Sequence, residues 1–146
     1  MNANNQSDLE HEYARFDGVW AFDLVEVEGK KQPEAPFPAH KMIVVGAERR
    51  FIVVQGLKIT RGVFHLDPTK TPKQIDVTVT AGDGKSFTTL SIYELEGDVY
   101  KVCASFRNGE RPTELRSLPG SGTVFEVLKR ETQTVSDALA ELDQKP

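Results

Sequence analysis

Residues 74–106 read QIDVTVTAGDGKSFTTLSIYELEGDVYKVCASF, and this stretch decides the fold class. Apolar residues occupy every second position of 75–79 and of 100–106, and the positions between them are polar except for Cys103. Two glycine-rich turns, at 82–84 and 97–98, separate the runs. Alternation with a period of two, bounded by residues that tolerate positive φ, predicts antiparallel strands joined by hairpins. We therefore expect a sheet with one buried face and one face in water.

Similar short runs, separated by glycine or proline clusters, continue on both sides of this stretch. We predict eight strands, at 18–27, 41–47, 50–54, 58–66, 74–80, 87–95, 99–106 and 122–129. An open sheet of this size would leave two edges that invite aggregation, whereas closure into a barrel removes both. The sequence therefore predicts an all-β fold, an eight-stranded antiparallel up-and-down barrel over residues 17–131.

Both ends of the chain are predicted to be helical. Apolar residues recur at spacings of four and three from Leu9 to Phe16, so residues 1–16 are interpreted as a helical lead-in. After the last strand, the apolar residues between 135 and 142 form one stripe of a second short helix. We assign residues 132–146 to this helix and an acidic tail.

Composition and charge restrict the function classes. Residues 17–131 hold 16 basic and 16 acidic side chains, so the body offers no electrostatic footprint for nucleic acid. No apolar run approaches the roughly 18 residues that a membrane span needs, and residues 1–17 lack an apolar signal segment. The single cysteine, Cys103, cannot form an internal disulfide and is interpreted as a small buried hydrophobe. These features predict a cytoplasmic protein that contacts neither nucleic acid nor membrane.

The first and last strands of the predicted barrel carry a pair of motifs known from one family of barrels. The first strand opens with Gly18-Val19-Trp20, and Lys129-Arg130 ends the last strand. This resembles the lipocalin pattern, in which a tryptophan near the barrel base packs under a basic residue of the final strand. An indole face attracts a guanidinium, so Gly18, Trp20 and Arg130 are predicted to close the barrel floor.

Five further motifs follow in the order found in a lipocalin-like domain family abundant in planctomycete bacteria. They are His65-Leu66-Asp67-Pro68, Pro72-Lys73-Gln74-Ile75-Asp76, Ile92-Tyr93-Glu94-Leu95-Glu96-Gly97-Asp98, Arg111-Pro112-Thr113-Glu114 and Pro119-Gly120-Ser121-Gly122. The resemblance covers residues 17–131 and implies a small lipocalin-type barrel. It implies no settled biochemical activity. Many relatives look exported, whereas this chain shows no signal segment.

Five side chains are candidates for contacting a ligand: Arg61, Phe64, Tyr93, Tyr100 and Phe106. The two tyrosines flank the turn at 97–98 and are expected near the barrel mouth, although cross-strand packing explains them equally well. Arg61 shares a strand face with His65, and the alternation leaves the direction of that face open. An inward face would give a cationic floor suited to a carboxylate ligand, whereas an outward face avoids the cost of burying charge.

Groups that could carry chemistry are sparse. Glu94 could act as a general acid or base if it faced inward, or it could be a strand-end glutamate in water. The three histidines are far apart, and no two have metal-ligand spacing, so we predict no metal and no cofactor. Arg107, Arg111 and Arg116 could bind an anion, but interleaved glutamates make local ion pairing the simpler account.

Three functions follow in order of preference. The first is non-enzymatic binding of a small apolar or amphipathic ligand inside the barrel. The second is a packed barrel that meets a protein partner or a second copy of itself, through the loop at 107–121 or the C-terminal helix. The third is an enzyme with Glu94, His65 or Arg61 as its only plausible actors.

Overall fold

The computed structural model describes residues 2–33, 40–106 and 109–143. Two helices and nine strands lie in these ranges: α1 Asn2–Arg15, β1 Gly18–Val27, β2 Lys30–Lys31, β3 His40–Val45, β4 Arg50–Gln55, β5 Lys58–Asp67, β6 Lys73–Thr80, β7 Ser86–Glu96, β8 Val99–Ser105, β9 Thr123–Arg130 and α2 Val135–Asp143. A short 3-10 turn spans Gly46–Glu48. Residues 1, 34–39, 107–108 and 144–146 lie outside the description, and with them Arg107 of the loop at 107–121.

The eight long strands form a closed antiparallel barrel, which confirms the predicted fold class. From β3 onward, each strand pairs with the next along the chain, and β3 also pairs with the first half of β1. Closure comes from β1 and β9, which pair from Trp20 opposite Arg130 to Val27 opposite Val124. The two-residue strand β2 adds only a short edge to the end of β1.

One end of the barrel is closed by helix α1. Tyr13 in its last turn and Phe16 directly after it are almost fully buried and belong to the same core as Trp20, Tyr93 and Tyr100. The phenol oxygen of Tyr13 accepts a hydrogen bond of 2.8 Å from the backbone N–H of Leu66. The helix is therefore a plug that completes the core.

The Arg130 side chain links this plug to the strands. Its guanidinium stacks on the Trp20 ring at 4.3 Å and donates hydrogen bonds to the backbone carbonyls of Arg15 and Asp17. Its Nε also pairs with Asp98 at 2.8 Å. A Cβ atom at Gly18 would approach the guanidinium to 2.8 Å, so the close packing here needs a glycine. Gly18, Trp20 and Arg130 thus meet at the closed end.

The outer wall carries two apolar patches, each covered by another part of the chain. Ala138 of α2 packs against Val19 and Ile43, so the amphipathic face of this helix lies on the barrel. On the other patch, Leu115 packs beside Cys103 and Phe125. The described helices are all too short or too polar to cross a lipid bilayer.

Two predicted strands run past their observed C-terminal ends, and the other predicted strand ends agree with the structure to within one residue. The run at 41–47 stops at Val45 because the chain turns through Gly46–Glu48, and Arg49 then adopts a left-handed conformation with φ of 55°. Phe106 lies just beyond β8. Apolar residues continue past the assigned strand in both places, and the N–H of Phe106 still donates a backbone hydrogen bond of 2.9 Å to the carbonyl of Gly122.

Candidate functional site

The barrel encloses a cavity of about 340 Å³ that remains open to solvent. It runs from Phe16 at the closed end to Gln55 and Val79 near the hairpins of the opposite end. The wall is mostly apolar, and its apolar side chains come from every barrel strand except β7: Phe22, Met42, Val44, Phe51, Val53, Phe64, Ile75, Val77, Val79, Tyr100, Val102, Ala104 and Leu128. An eight-stranded barrel can hold one small ligand in such an interior.

Strand alternation decides which residues reach the cavity. On β5, Thr60 and Phe64 line it, so Arg61 and His65 lie on the outer face, and both are exposed. On β7, Thr89 and Ser91 line it, so the intervening positions face outward. The barrel therefore has no cationic floor from Arg61, because the cost of burying charge places that side chain in water.

The five predicted ligand contacts do not form one cluster. Phe64 and Tyr100 line the cavity, and Tyr93 lies among the buried side chains of the closed end. Phe106 is 49% exposed at the rim of the open end, and Arg61 is on the outside of the barrel. Two of the five therefore reach the cavity wall.

The expectation that both tyrosines stand near the barrel mouth is wrong. The 97–98 turn that they flank lies at the closed end, where Asp98 pairs with Arg130. The Tyr93 hydroxyl donates a hydrogen bond of 2.7 Å to Glu12 of helix α1. Burial would raise the pKa of Glu12, but hydrogen bonds from Tyr93 and Arg15 and the charge of Lys73 outweigh it and lower that pKa. Tyr93 thus anchors the plug.

Among the described lining residues, Glu126 carries the single carboxyl group of the cavity. Its cross-strand neighbours are Val25 on β1 and Val102 on β8, both apolar. Burial raises the pKa of Glu126 from its usual 4.5 to about 7. Among the described residues, no side chain forms a hydrogen bond or ion pair with it. This residue carries the only carboxylate that the described cavity wall can present to a ligand.

The sequence reasoning missed Glu126, although a signal was available. Strand β9 is apolar on both faces, because Leu115 covers Phe125 and Val127 on the outside. The alternation of β9 therefore does not show which face is inward. The predicted contact of Trp20 with Arg130 does show it: counting back by twos from Arg130 gives Leu128 and then Glu126 on the inner face.

Other polar groups of the wall are hydroxyls and an amide. The Ser91 hydroxyl is buried without a hydrogen-bond partner in the described part of the chain. Thr60, Thr89 and Gln55 add further donors and acceptors. No lysine, arginine or histidine is among the described lining residues. The cavity is therefore apolar, weakly polar at a few points, and acidic at one.

The groups considered for catalysis do not converge. Glu94 lies on the outer face opposite Lys101, and His65 lies on the outer face opposite Asp76. Arg116 pairs with Glu114 at 2.6 Å, as local ion pairing predicts, whereas Arg111 pairs at 2.7 Å with Asp76 of strand β6. Within 2–33, 40–106 and 109–143 there is no cluster of three metal-ligating side chains.

Cys103 is fully buried on the outer side of β8. Burial raises the pKa of its thiol, which reduces the fraction of reactive thiolate at neutral pH. The thiol lies 3.5 Å from the carbonyl oxygen of Arg116, beneath the segment that follows β8. Its environment is that of a small core residue.

The open end is surrounded by large apolar side chains. Leu57 is 86% exposed and Phe87 is 60% exposed, and Phe106 and Leu118 lie at the same end of the barrel. Exposed apolar groups gathered at one place mark binding sites more often than scattered ones do. No protein-family model, curated protein or solved structure matches this chain.

Proposed function

We propose that this protein binds one small apolar or amphipathic molecule inside its barrel and performs no chemistry on it. The observation that carries the proposal is the solvent-connected apolar cavity of about 340 Å³. Its size lies at the lower end of the range for small-molecule sites, and a few polar groups on an apolar wall are typical of such sites. Exposed apolar side chains at the open end, such as Leu57 and Phe87, are also available to an apolar ligand. Membership of the lipocalin-like family and a cytoplasmic location stay predictions from the sequence.

Filling the cavity should abolish binding. Thr89 lines the cavity, whereas Thr88, its neighbour on β7, is exposed on the outer face. We expect Thr89→Phe to weaken binding of the neutral dye Nile red by about tenfold or more, because the new ring occupies the space that the dye would use. Thr88→Phe adds the same ring to the outside and should leave the affinity unchanged. Fluorescence titration measures both.

Two outcomes would count against a ligand in the barrel. One is equal dye affinity for the two phenylalanine variants, which would place the dye on the surface. The other is the absence of any dye binding to the wild-type protein. Circular dichroism of Thr89→Phe distinguishes a filled cavity from an unfolded chain.

A second candidate function is contact with another protein or a second copy of this chain, and the apolar rim favours it. The sequence analysis combined this function with a fully packed barrel, but a contact through the rim does not require a packed interior. If the rim is such a contact, the double substitution Leu57→Ser and Phe87→Ser should reduce self-association measured by sedimentation velocity. A wild-type protein that stays monomeric at every concentration would eliminate the homodimer.

A further inference from the structure

The charge inside the barrel has the opposite sign to the one that an inward Arg61 would have given. The described lining residues include one acidic side chain, Glu126, and no basic one. A fatty carboxylate would therefore place its negative charge beside a carboxyl group, in an apolar wall that screens the repulsion poorly. The composition of the wall disfavours anionic ligands.

We infer that the preferred ligand is an amphipathic amine, whose ammonium group pairs with the Glu126 carboxylate while its apolar part lies against Phe22, Met42 and Val53. This inference rests on the proposed function and names the ligand class for the same cavity. All four residues line the cavity, and they are contributed by β9, β1, β3 and β4.

The surroundings of Glu126 explain why a cation suits it. Its neighbours across the two adjacent strands are the valines Val25 and Val102, which offer no hydrogen bond to a carboxylate. In the empty barrel the carboxyl group of Glu126 therefore ionises less readily than a carboxyl group in water, and burial raises its pKa. An ammonium group supplies the missing counter-charge together with N–H donors.

Neutral and cationic ligands differ in whether they balance the negative charge of the Glu126 carboxylate. An alcohol can hydrogen-bond to Glu126, but it brings no charge to balance the carboxylate. An ammonium group balances the charge and carries up to three N–H donors, whereas an alcohol carries one O–H. The amine therefore gains most from ionised Glu126.

Three probes with the same alkyl chain test this inference: decylamine, decanol and decanoate. Each is titrated against the wild-type protein by displacement of Nile red at about pH 8, where a primary amine is still protonated. We expect decylamine to bind roughly tenfold to a hundredfold more tightly than decanol, since a hydrogen bond to a charged group gives a preference of that order. Decanoate should bind most weakly.

The variant Glu126→Gln should remove the preference while keeping the cavity. Decylamine and decanol should then bind with affinities within about threefold of each other, because no carboxylate is left to pair with the ammonium. Glu94→Gln, the same change on the outer face, should retain the wild-type order.

The outcomes separate this inference from the proposed function. If decanol binds and decylamine binds no better, the amine preference is wrong and the ligand cavity stands. The same holds if decanoate binds as tightly as decylamine. If none of the three probes displaces Nile red from the wild-type protein, the proposed function itself fails.

Discussion

Replacing Trp20 with alanine is expected to lower the free energy of unfolding by about 3–5 kcal/mol, the usual cost of deleting a buried aromatic ring. The indole is fully buried, packs edge-on against Tyr100 at 5.9 Å and lies under the Arg130 guanidinium. Its N–H also donates a hydrogen bond of 2.9 Å to the carbonyl of Phe16. The substitution therefore creates a cavity and unpairs a buried carbonyl at the same time.

Urea unfolding followed by circular dichroism measures this loss. Phe87→Ala is the matched control, because it removes a large aromatic side chain that is 60% exposed. Surface changes of this kind normally shift stability by about 0.5 kcal/mol or less. A Trp20→Ala protein that loses no more stability than Phe87→Ala would show that the closed end does not depend on the indole.

The second large effect is a pH-dependent gain of stability in Glu126→Gln. The pKa of Glu126 is raised to about 7 in the folded protein, above its usual 4.5. Between these two values the folded state holds a proton that the unfolded state releases, so the contribution of Glu126 to stability falls as pH rises through this window. Glutamine resembles the protonated carboxyl in shape and cannot ionise.

We therefore expect the variant and the wild-type protein to be equally stable near pH 4.5. Above about pH 7.5 the variant should be more stable by on the order of 1–3 kcal/mol, a range that allows for the partial exposure of the side chain. Urea unfolding of both proteins across this range gives the difference. Glu94→Gln on the outer face should show no such trend. A Glu126→Gln advantage that is constant with pH, or absent at high pH, would contradict a buried, ionisable carboxyl in the cavity.

The strands and turns could be predicted because their signals are local. The period of two over 74–106 and the glycines at 82–84 and 97 mark the hairpins whatever the rest of the chain does. The sequence left open whether Arg61 faces inward or outward. In the structure it faces water, as the cost of burying a charge requires. Local rules of this kind were enough for the fold class.

The residues that line the cavity were harder to predict than the strands. Their identity depends on which segments, far apart in the sequence, come together in the fold. Helix α1 has an apolar stripe in the sequence, but nothing local shows that Tyr13 and Phe16 enter the end of the barrel. The alternation of β8 includes Phe106, but nothing local shows that this side chain stays 49% exposed at the open end. The inward position of Glu126 could not be recognised because β9 is covered on both sides. Both of its faces are apolar, so the alternation does not show to which face the charged residue belongs. Pairing register was needed to assign it.

Closure of the barrel by β1 and β9 joins residues separated by more than a hundred positions along the chain, as in the contact of Trp20 with Arg130. During synthesis, the first strand and the plug helix leave the ribosome long before their partners are made. Until Arg130 emerges, the Trp20 indole has no cation above it, and one edge of the sheet stays open. Closure of the barrel is consequently a late event, because its strand pairing of longest range cannot form before the end of the chain is available.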